Sequence, residues 1–250
     1  MIEVVVKRDG SEEPFVASKL NGWGEWSSSN LGNLVDWSAV LLHVVSTLPK
    51  KVTSKQIQEA AIRYCIDKAT WEYNLMAGRL YAALMLKEIH NGKYPTVKEV
   101  HKSLQEAGIM RVLDYSEEEY SAVEKMIDHS LNMKSAHYSL YQNRTKYALR
   151  DKVGGKEYET PQFTFMRMAM ALAEKEPKET RMKDVAKYYE HFSHKRINAP
   201  TPYYVNLGTD LNAYASCCLY TTKDTWPSLA AGDHIAYAMT AMSAGIGSHI

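Results

Sequence analysis

The sequence predicts a mainly α fold with small β-hairpins, and three observations lead to this prediction. Apolar residues recur at helical spacing through most of the longer segments. The first fifteen residues differ: the β-branched run EVVV, the turn KRDG and the returning EEPFV predict a hairpin. Residues 146–160, KYALRDKVGGKEYET, contain short polar stretches around VGG and predict a second hairpin.

The clearest helix pattern lies in residues 54–69, SKQIQEAAIRYCIDKA. Its apolar stripe repeats at helical spacing through Ile57, Ala61 and Cys65, which predicts that the Cys65 side chain is buried. Ser54 is the expected N-cap of this helix. Residues 70–92 form the next predicted helix, which ends at HNG and is followed by a proline.

Further helices are predicted from apolar periodicity and from acidic or capping residues in their first turns, at residues 96–108, 116–131, 160–176 and 181–195. Residues 198–222 are rich in Pro, Gly, Thr and aromatic residues, which favours irregular chain and short strands. A last helix is predicted to start at Asp224 or Thr225 and to stop at a glycine. We expect the natural chain to continue, because AGIGSHI is where another strand or loop would begin.

Composition excludes several classes of function. A formal charge of +1 gives no overall field for nucleic acid or for an anionic membrane. The longest apolar run, AVLLHVV, is far too short to span a bilayer, so a cytoplasmic protein is predicted. An odd number of cysteines without CxxC argues against a disulfide framework and against a structural zinc site, and no metal is predicted.

Two groups of residues are candidates for chemistry. Lys7, Arg8 and Lys19 would cluster if the hairpin packs on the following helix, and they would then suit a triphosphate. The alternative is an ordinary solvated hairpin edge. Cys217 and Cys218 would point to opposite faces of a strand, and either could be a reactive thiol or a small buried side chain.

Six segments together resemble the N-terminal third of the large subunit of class I ribonucleotide reductases, in particular those of bacteria and their phages. In chain order they are VKRDGSEEPFVASKL, YSEEEYSAVEKMIDHSLNM, KYALRDKVGGKEYETPQFTFM, PTPYYVNLGT, ASCCL and AGIG. The resemblance spans the whole chain. It implies an ATP-cone at 1–94, a helical domain at 95–198, and the first, truncated part of a ten-stranded α/β barrel at 199–250.

In that family the cone binds ATP or dATP and sets overall activity. The resemblance implies that its nucleotide contacts correspond here to Lys7, Arg8, Glu13, Lys19, Thr53 or Ser54, and Lys87. Pro14 departs from the family pattern within the loop from Glu13 to Lys19, so we expect regulation by dATP to be blunted.

The barrel segment carries the implied active-site residues. Thr201 and Ser216 match hydroxyl donors to the substrate diphosphate, Cys217 matches a redox cysteine, and Gly245 matches a backbone contact to substrate. Cys218 falls where the family has an apolar residue. The residues before the thiol, TDLNAYASC, replace the family's RTPTRQFSSC, although the spacing from Thr201 to Cys217 is kept.

The following segment is implied to bind the dNTP specificity effector. Asp224 matches the carboxylate that holds the effector's ribose, with Thr225 and Trp226 beside it, and Asp224 could also be a helix N-cap. The helix at 226–243 matches part of the family's dimer interface, where its small residues would allow close packing.

The thiyl-radical cysteine, the second redox cysteine and the C-terminal cysteine tail of the family lie beyond the matched third. The natural chain is then either a split subunit or a truncated product, and we favour a split subunit with a companion chain for the remainder. The resemblance also implies a small subunit that carries the radical cofactor, and thioredoxin or glutaredoxin as reductant. Two alternatives remain open: a non-catalytic ATP-cone regulator that senses nucleotides, and a purely helical interaction module.

Overall fold

The computed structural model describes residues 2–242 and 244–249, which are mainly helical with few strands. The α-helices are α1 Ala17–Ser28, α2 Trp37–Thr47, α3 Ser54–Asp67, α4 Trp71–His90, α5 Val97–Glu106, α6 Glu117–Met126, α7 His137–Gln142, α8 Pro161–Ala173, α9 Arg181–Ser193, α10 Thr201–Asn206 and α11 Trp226–Ala241. The strands are β1 Val4–Val6, β2 Glu12–Pro14, β3 Lys51–Thr53, β4 Cys217–Thr221 and β5 Gly245–His249. Short 3₁₀ turns cover Gly32–Leu34 and His129–Lys134, and Asn143–Tyr147 form a π-helical turn.

The chain divides into two compact units. The first comprises residues 1–94 together with 129–143, and the second comprises residues 95–128 and 144–250. Residues 129–143 therefore pack with the first unit, although they follow a segment of the second unit in the chain. The three-domain division at 94/95 and 198/199 stays a prediction.

The predicted N-terminal hairpin is confirmed. β1 pairs with β2 in antiparallel register, with Val5 opposite Glu13, and the turn between them contains Gly10 at φ +83°. β3 adds to the other edge of β1 in parallel, with Val5 opposite Val52, which gives the strand order β2-β1-β3 among the described residues. The sequence did not predict β3, because KVT is too short to show a period.

Helix α3 begins one residue earlier than predicted. The N-cap is Thr53 rather than Ser54: its hydroxyl accepts from the Gln56 amide at 3.0 Å, and the Gln56 side chain accepts from the Thr53 amide at 2.8 Å. The buried face is as predicted, since Cys65 has no exposed surface and packs in the first unit's core with Val40 and Met76. Asn91, in the left-handed region at φ +53°, ends α4, and Gly92 follows it.

A glycine on α4 explains why residues 129–143 belong to the first unit. A Cβ built on Gly78 would lie 2.0 Å from the Ser135 carbonyl oxygen, so only glycine permits this close approach. Leu140 of α7 then enters the core of the first unit with 1% of its surface exposed.

In the second unit, α5 and α6 each begin with a capping box, at Thr96/Glu99 and Ser116/Glu119. Helix α6 ends at Met126, so the predicted helix 116–131 is too long. Ile127 turns to extended backbone, and the Asp128 amide donates to the Tyr189 hydroxyl at 2.8 Å instead of continuing the helix. The predicted second hairpin is reduced to one antiparallel bridge between Arg150 and Glu157.

The C-terminal part of the second unit is a parallel β4–α11–β5 unit. Cys217 lies opposite Gly245, and the register continues to Thr221 opposite His249. α11 packs on this strand pair through Gly232, where a Cβ would lie 2.7 Å from Thr222 Cγ2. The short strand expected at the cysteines is confirmed as β4, whereas the short helix α10 was expected to be irregular chain.

Candidate functional site

The first candidate site is a cavity of about 170 Å³ between the hairpin, α1 and the start of α3. Glu13, Lys19 and Ser54 line it, and three of the predicted nucleotide contacts therefore share one cavity. The remaining wall is mainly apolar, formed by Val5, Phe15, Val16, Leu20, Trp23 and Ile57. This combination suits a planar apolar group beside charged groups.

Glu13 forms ion pairs with two of the predicted cations. Its carboxylate lies 2.7 Å from Lys7 Nζ and 2.9 Å from Lys19 Nζ. Hydrogen bonds from Lys7 and Lys19 lower the Glu13 pKa, and the hydrogen bond to Glu13 raises the Lys7 pKa. Because both lysine side chains are about half exposed or more, these pairs contribute little to stability and an anionic ligand can compete for them.

Lys87 reaches the same region from α4. Its ammonium nitrogen lies 4.5 Å from the centre of the Trp23 ring, in a cation–π contact. Burial lowers the Lys87 pKa first, and the positive charge of Arg8 lowers it further, which puts Arg8 within electrostatic reach. Sequence reasoning missed Trp23, although its position four residues after Lys19 on α1 indicates the same helix face.

Thr53 and Ser54 have different roles in this geometry. The Thr53 hydroxyl is engaged in the capping box of α3, whereas Ser54 lines the cavity. Of the two residues that the sequence left open, Ser54 is the one that lines the cavity.

The second candidate site lies at the start of β4 and β5. The Gly245 amide donates to the Ser216 carbonyl oxygen at 2.6 Å, and the Ser216 hydroxyl lies 3.8 Å from Cys217 Sγ. A Cβ on Gly245 would stand 3.2 Å from that carbonyl and 3.8 Å from Cys217 Sγ. The structure therefore brings together three of the predicted residues, with an open approach over Gly245.

The two neighbouring cysteines face opposite sides of β4, as the strand period predicts. Cys217 is exposed, and Cys218 is half-buried on the face that carries Tyr220, which packs against Gly232 of α11. Both are free thiols, as is Cys65.

Thr201 is positioned separately, as the first residue of α10. It shares no hydrogen bond with Ser216 or Cys217 in the described part of the chain. α10 is tied to the segment before β4 by the Asn206 side-chain amide, which donates to the Ala213 carbonyl at 2.5 Å, and by the Tyr203 and Tyr214 rings at 5.4 Å.

Arg167, one partner of a buried ion pair, forms hydrogen bonds with the end of α10. Arg167 and Glu159 have fully buried side chains, with Arg167 Nε 2.6 Å from Glu159 Oε1. Arg167 also donates to the carbonyl oxygens of Tyr204 and Leu207 at the end of α10. Sequence reasoning missed this pair, although a single arginine within FTFMRMAMA was the available signal.

The residues expected to meet the specificity effector lie at the start of α11. Thr225 occupies the N-cap position without a side-chain capping bond, so the expectation that Asp224 caps this helix is wrong. Asp224 is exposed, and Trp226 is 82% exposed. Ser243, within the helix predicted for dimerisation at 226–243, lies outside the described residues, and α11 ends at Ala241.

No cluster of three or more His, Cys, Asp or Glu side chains suited to a metal ion occurs among residues 2–242 and 244–249. Within the same residues, no helix is both long enough and apolar enough to cross a bilayer.

Residues 133–212 match the family model for the all-alpha domain of ribonucleotide reductase. The chain is 28% identical to ribonucleoside-diphosphate reductase 1 subunit alpha of Escherichia coli K12 and 28% identical to the subunit alpha of Enterobacteria phage T4. The corresponding Haemophilus influenzae subunit is 27% identical. Each similarity covers 98% of this chain but 33% of the relative, so the chain spans about a third of the length of these relatives. Over nearly its whole length the chain is thus similar to the N-terminal part of ribonucleoside-diphosphate reductase alpha subunits.

Proposed function

We propose that this chain supplies the nucleotide-regulatory cone, the substrate-phosphate contacts and one redox cysteine of a ribonucleoside-diphosphate reductase, which converts ribonucleotides to deoxyribonucleotides. The observation that most supports the proposal is the parallel register of β4 and β5. It gathers Ser216, the exposed Cys217 and Gly245 on one end of a strand pair. The names of the relatives support the reaction class.

The proposed roles follow from the donor chemistry. The hydroxyls of Thr201 and Ser216 donate to phosphate oxygens of the substrate. The Gly245 amide already donates a hydrogen bond to the Ser216 carbonyl oxygen. Gly245 would therefore contribute through its missing side chain, which lets the substrate approach the strand.

Cys217 supplies reducing equivalents in this proposal. Replacing the 2′ hydroxyl of a ribonucleotide by hydrogen consumes two electrons and two protons and releases water. Cys217 and a second thiol on the remaining part of the enzyme provide them and become a disulfide, which thioredoxin or glutaredoxin reduces again. The radical cofactor, in a small subunit, supplies the hydrogen-atom chemistry at the ribose.

The cone cavity is proposed to take ATP or dATP. Lys7, Arg8, Lys19 and Lys87 would hold the phosphates, and the apolar wall would take the base. Glu13 would have to share or release its two lysines on binding, a cost that a phosphate offsets through stronger charge-assisted hydrogen bonds. Ser54 lines the wall beside them.

The second effector site and the subunit contacts belong to α11. Asp224, Thr225 and Trp226 would hold a dNTP effector, and the exposed face of α11, which includes Tyr237 at 80% exposure, would contact a second copy. In the described residues β4 pairs only with β5, and α11 packs on this pair. A companion chain would add further strands and would form a cytoplasmic reductase with the small subunit.

The test is complementation. Reduction of CDP or ADP would be measured with this chain alone, with a chain carrying the remaining two thirds of a relative, and with both plus the small subunit. We expect turnover only in the complete mixture. Turnover by this chain without a companion, or no gain from mixing folded fragments, would contradict the proposal.

A pair of variants then tests the thiol. Cys217→Ser should abolish dithiol-driven reduction, while Cys218→Val should keep most of the activity because valine is an apolar residue of similar size on the helix-facing side of β4. Equal effects of the two substitutions would show that the assignment of the redox cysteine is wrong.

A second candidate function is a non-catalytic nucleotide-sensing regulator. It is favoured by one observation: the first unit has its own core and contains the cavity, Trp23 and the surrounding cations without any residue of the second unit. Lys7→Ala should weaken ATP binding about tenfold through loss of a charge-assisted contact. Lys50→Ala is the control, because Lys50 pairs with Glu3, whereas Lys7 pairs with Glu13 of the cavity lining. Strong ATP binding without any gain in the complementation assay would favour the regulator.

A further inference from the structure

The second unit contains a cavity that the proposed reductase roles do not use. Its volume is about 620 Å³, well above that of the cone cavity and within the range of small-molecule sites. One part of the lining comes from residues 146–152. The rest comes from the end of α10 and its connection to β4, together with Gly108, Ile109 and Ala241.

Three basic residues line this cavity: Lys146, Arg150 and Lys152. Asp210 is the acidic residue of its lining, so the described wall is strongly biased towards positive charge. No carboxylate of the described residues forms a salt bridge with any of the three. Arg144 differs, since it is paired with Glu157 at 2.6 Å, and Arg150 donates a hydrogen bond to the Arg144 carbonyl oxygen. An excess of like charges around a concave surface creates a local potential that attracts anions.

The backbone that carries these cations is held in place. Lys146 belongs to the π-helical turn Asn143–Tyr147, a rare geometry that is frequent at functional sites. The ring of Tyr147 stacks on Tyr204, with centroids 4.3 Å apart and an interplanar angle of 14°. The amide of Leu149 donates to buried Glu159 at 2.8 Å. The cations therefore project from an anchored segment.

The rest of the cavity lining provides apolar surface and a few polar groups. Ile109, Val205 and Leu211 provide the apolar part. The Thr209 hydroxyl is engaged locally, since it donates to the Asn206 carbonyl at 2.8 Å and accepts from the Leu211 amide at 3.2 Å. A ligand that matches both parts of the lining carries negative charge at one end and a flat apolar group at the other.

We propose that this cavity binds a nucleotide, with Lys146, Arg150 and Lys152 contacting its phosphates and the apolar wall contacting its base. The site is separate from the cone cavity, which lies in the other unit. The connection that forms its wall joins α10, which carries Thr201, to the strand that carries Cys217. If the proposed reductase function holds, binding here would be coupled to substrate affinity, and the coupling would be reciprocal.

The test uses the full chain with ADP as probe. Hydrogen exchange should show protection of residues 146–152 and 205–211 on addition of ADP. Calorimetry should show at least about a tenfold loss of affinity for this site in Lys146→Ala/Lys152→Ala, because two charge-assisted contacts are removed from exposed side chains that the fold does not need. The charge-matched control is Lys183→Ala/Lys187→Ala on α9, which should bind as the unaltered chain does.

Both measurements are repeated in a Lys7→Ala/Lys87→Ala background, which removes two of the predicted cone contacts. Protection at 146–152 that persists there, and that adenosine does not produce, supports the inference. Equal affinity in the cavity variant and its control, protection confined to residues 1–94, or pyrophosphate binding as tightly as ADP would overturn it. ATP protection within residues 1–94 reports on the cone independently, so failure of this inference and failure of the proposed function give different results.

Discussion

At the scale of single residues, the environment of each thiol decides its chemistry. Cys65 has no exposed surface, and burial raises its pKa to about 12. Cys217 is exposed on β4, and Cys218 is half-buried beside it. Since the thiolate is the reactive form, a thiol that is both buried and of high pKa is chemically inert in the folded chain.

This difference gives a labelling prediction. With a pKa of about 12, Cys65 is almost entirely protonated at pH 8, so a maleimide or iodoacetamide should modify Cys217 first and Cys218 more slowly. Mass spectrometry of the native chain should find Cys65 unmodified until urea unfolds the first unit. Early modification of Cys65 in the native chain would contradict its assigned burial.

At the scale of single elements, the caps determine where helices start. Thr53 forms a capping box with Gln56, and Ser54 is already inside α3. Adjacent hydroxyl residues with similar cap preferences cannot be distinguished by spacing alone. The backbone decides, because Thr53 has extended angles at φ −83° and ψ 152°.

We predict that Thr53→Ala lowers the free energy of unfolding by about 1 kcal/mol, because the cap hydrogen bond to Gln56 is lost. Thr53→Ser should retain most of the stability, and Ser54→Ala should change it little. Urea unfolding followed by circular dichroism measures all three. A larger loss for Ser54→Ala than for Thr53→Ala would show that the helix starts one residue later.

Arg167 of α8 pairs with buried Glu159 and also donates to the Tyr204 and Leu207 carbonyl oxygens at the end of α10. Arg167→Met would leave Glu159 buried without its partner, and we expect a loss of about 3–5 kcal/mol in the free energy of unfolding. The exposed pair of Lys98 and Glu117 is the control, and Lys98→Ala should cost less than about 1 kcal/mol. Arg167→Met/Glu159→Gln should recover part of the loss, since no uncompensated charge remains. Similar effects of Arg167→Met and Lys98→Ala would refute the anchoring role.

At the scale of the whole molecule, chain order and structural units do not coincide. Residues 129–143 return to the first unit after the chain has entered the second. Two contacts explain this. Gly78 allows the Ser135 carbonyl group to approach α4 closely, and the Leu140 side chain packs in the core of the first unit.

A stability measurement checks this assignment. Leu140→Ala removes a fully buried side chain and should cost about 2–5 kcal/mol. Hydrogen exchange in that variant should accelerate in α3 and α4 before it does in α8 and α9. Tyr138→Ala, at a 58% exposed neighbouring position, should have little effect. Acceleration confined to α8 and α9 would place α7 with the second unit.

Features that depend on neighbouring residues could be predicted from the sequence. Apolar spacing predicted most of the longer helices and the burial of Cys65, and β-branched residues with Asp-Gly predicted the first hairpin. The alternation of a strand also predicted that Cys217 and Cys218 face opposite sides. The similarity of six segments to one family then indicated candidate site residues, of which Ser216, Cys217 and Gly245 lie together.

The remaining features were decided only by tertiary structure, because they depend on residues far apart in the chain. Trp23 meets Lys87 across 64 positions, and Arg167 reaches the Leu207 carbonyl across 40. The parallel addition of β3 and the return of residues 129–143 also depend on packing that no local period encodes. The sequence placed the three cations Lys146, Arg150 and Lys152 in a predicted hairpin and assigned them no site. They become a candidate site because an anchored π-helical turn and the α10–β4 connection enclose a cavity between them.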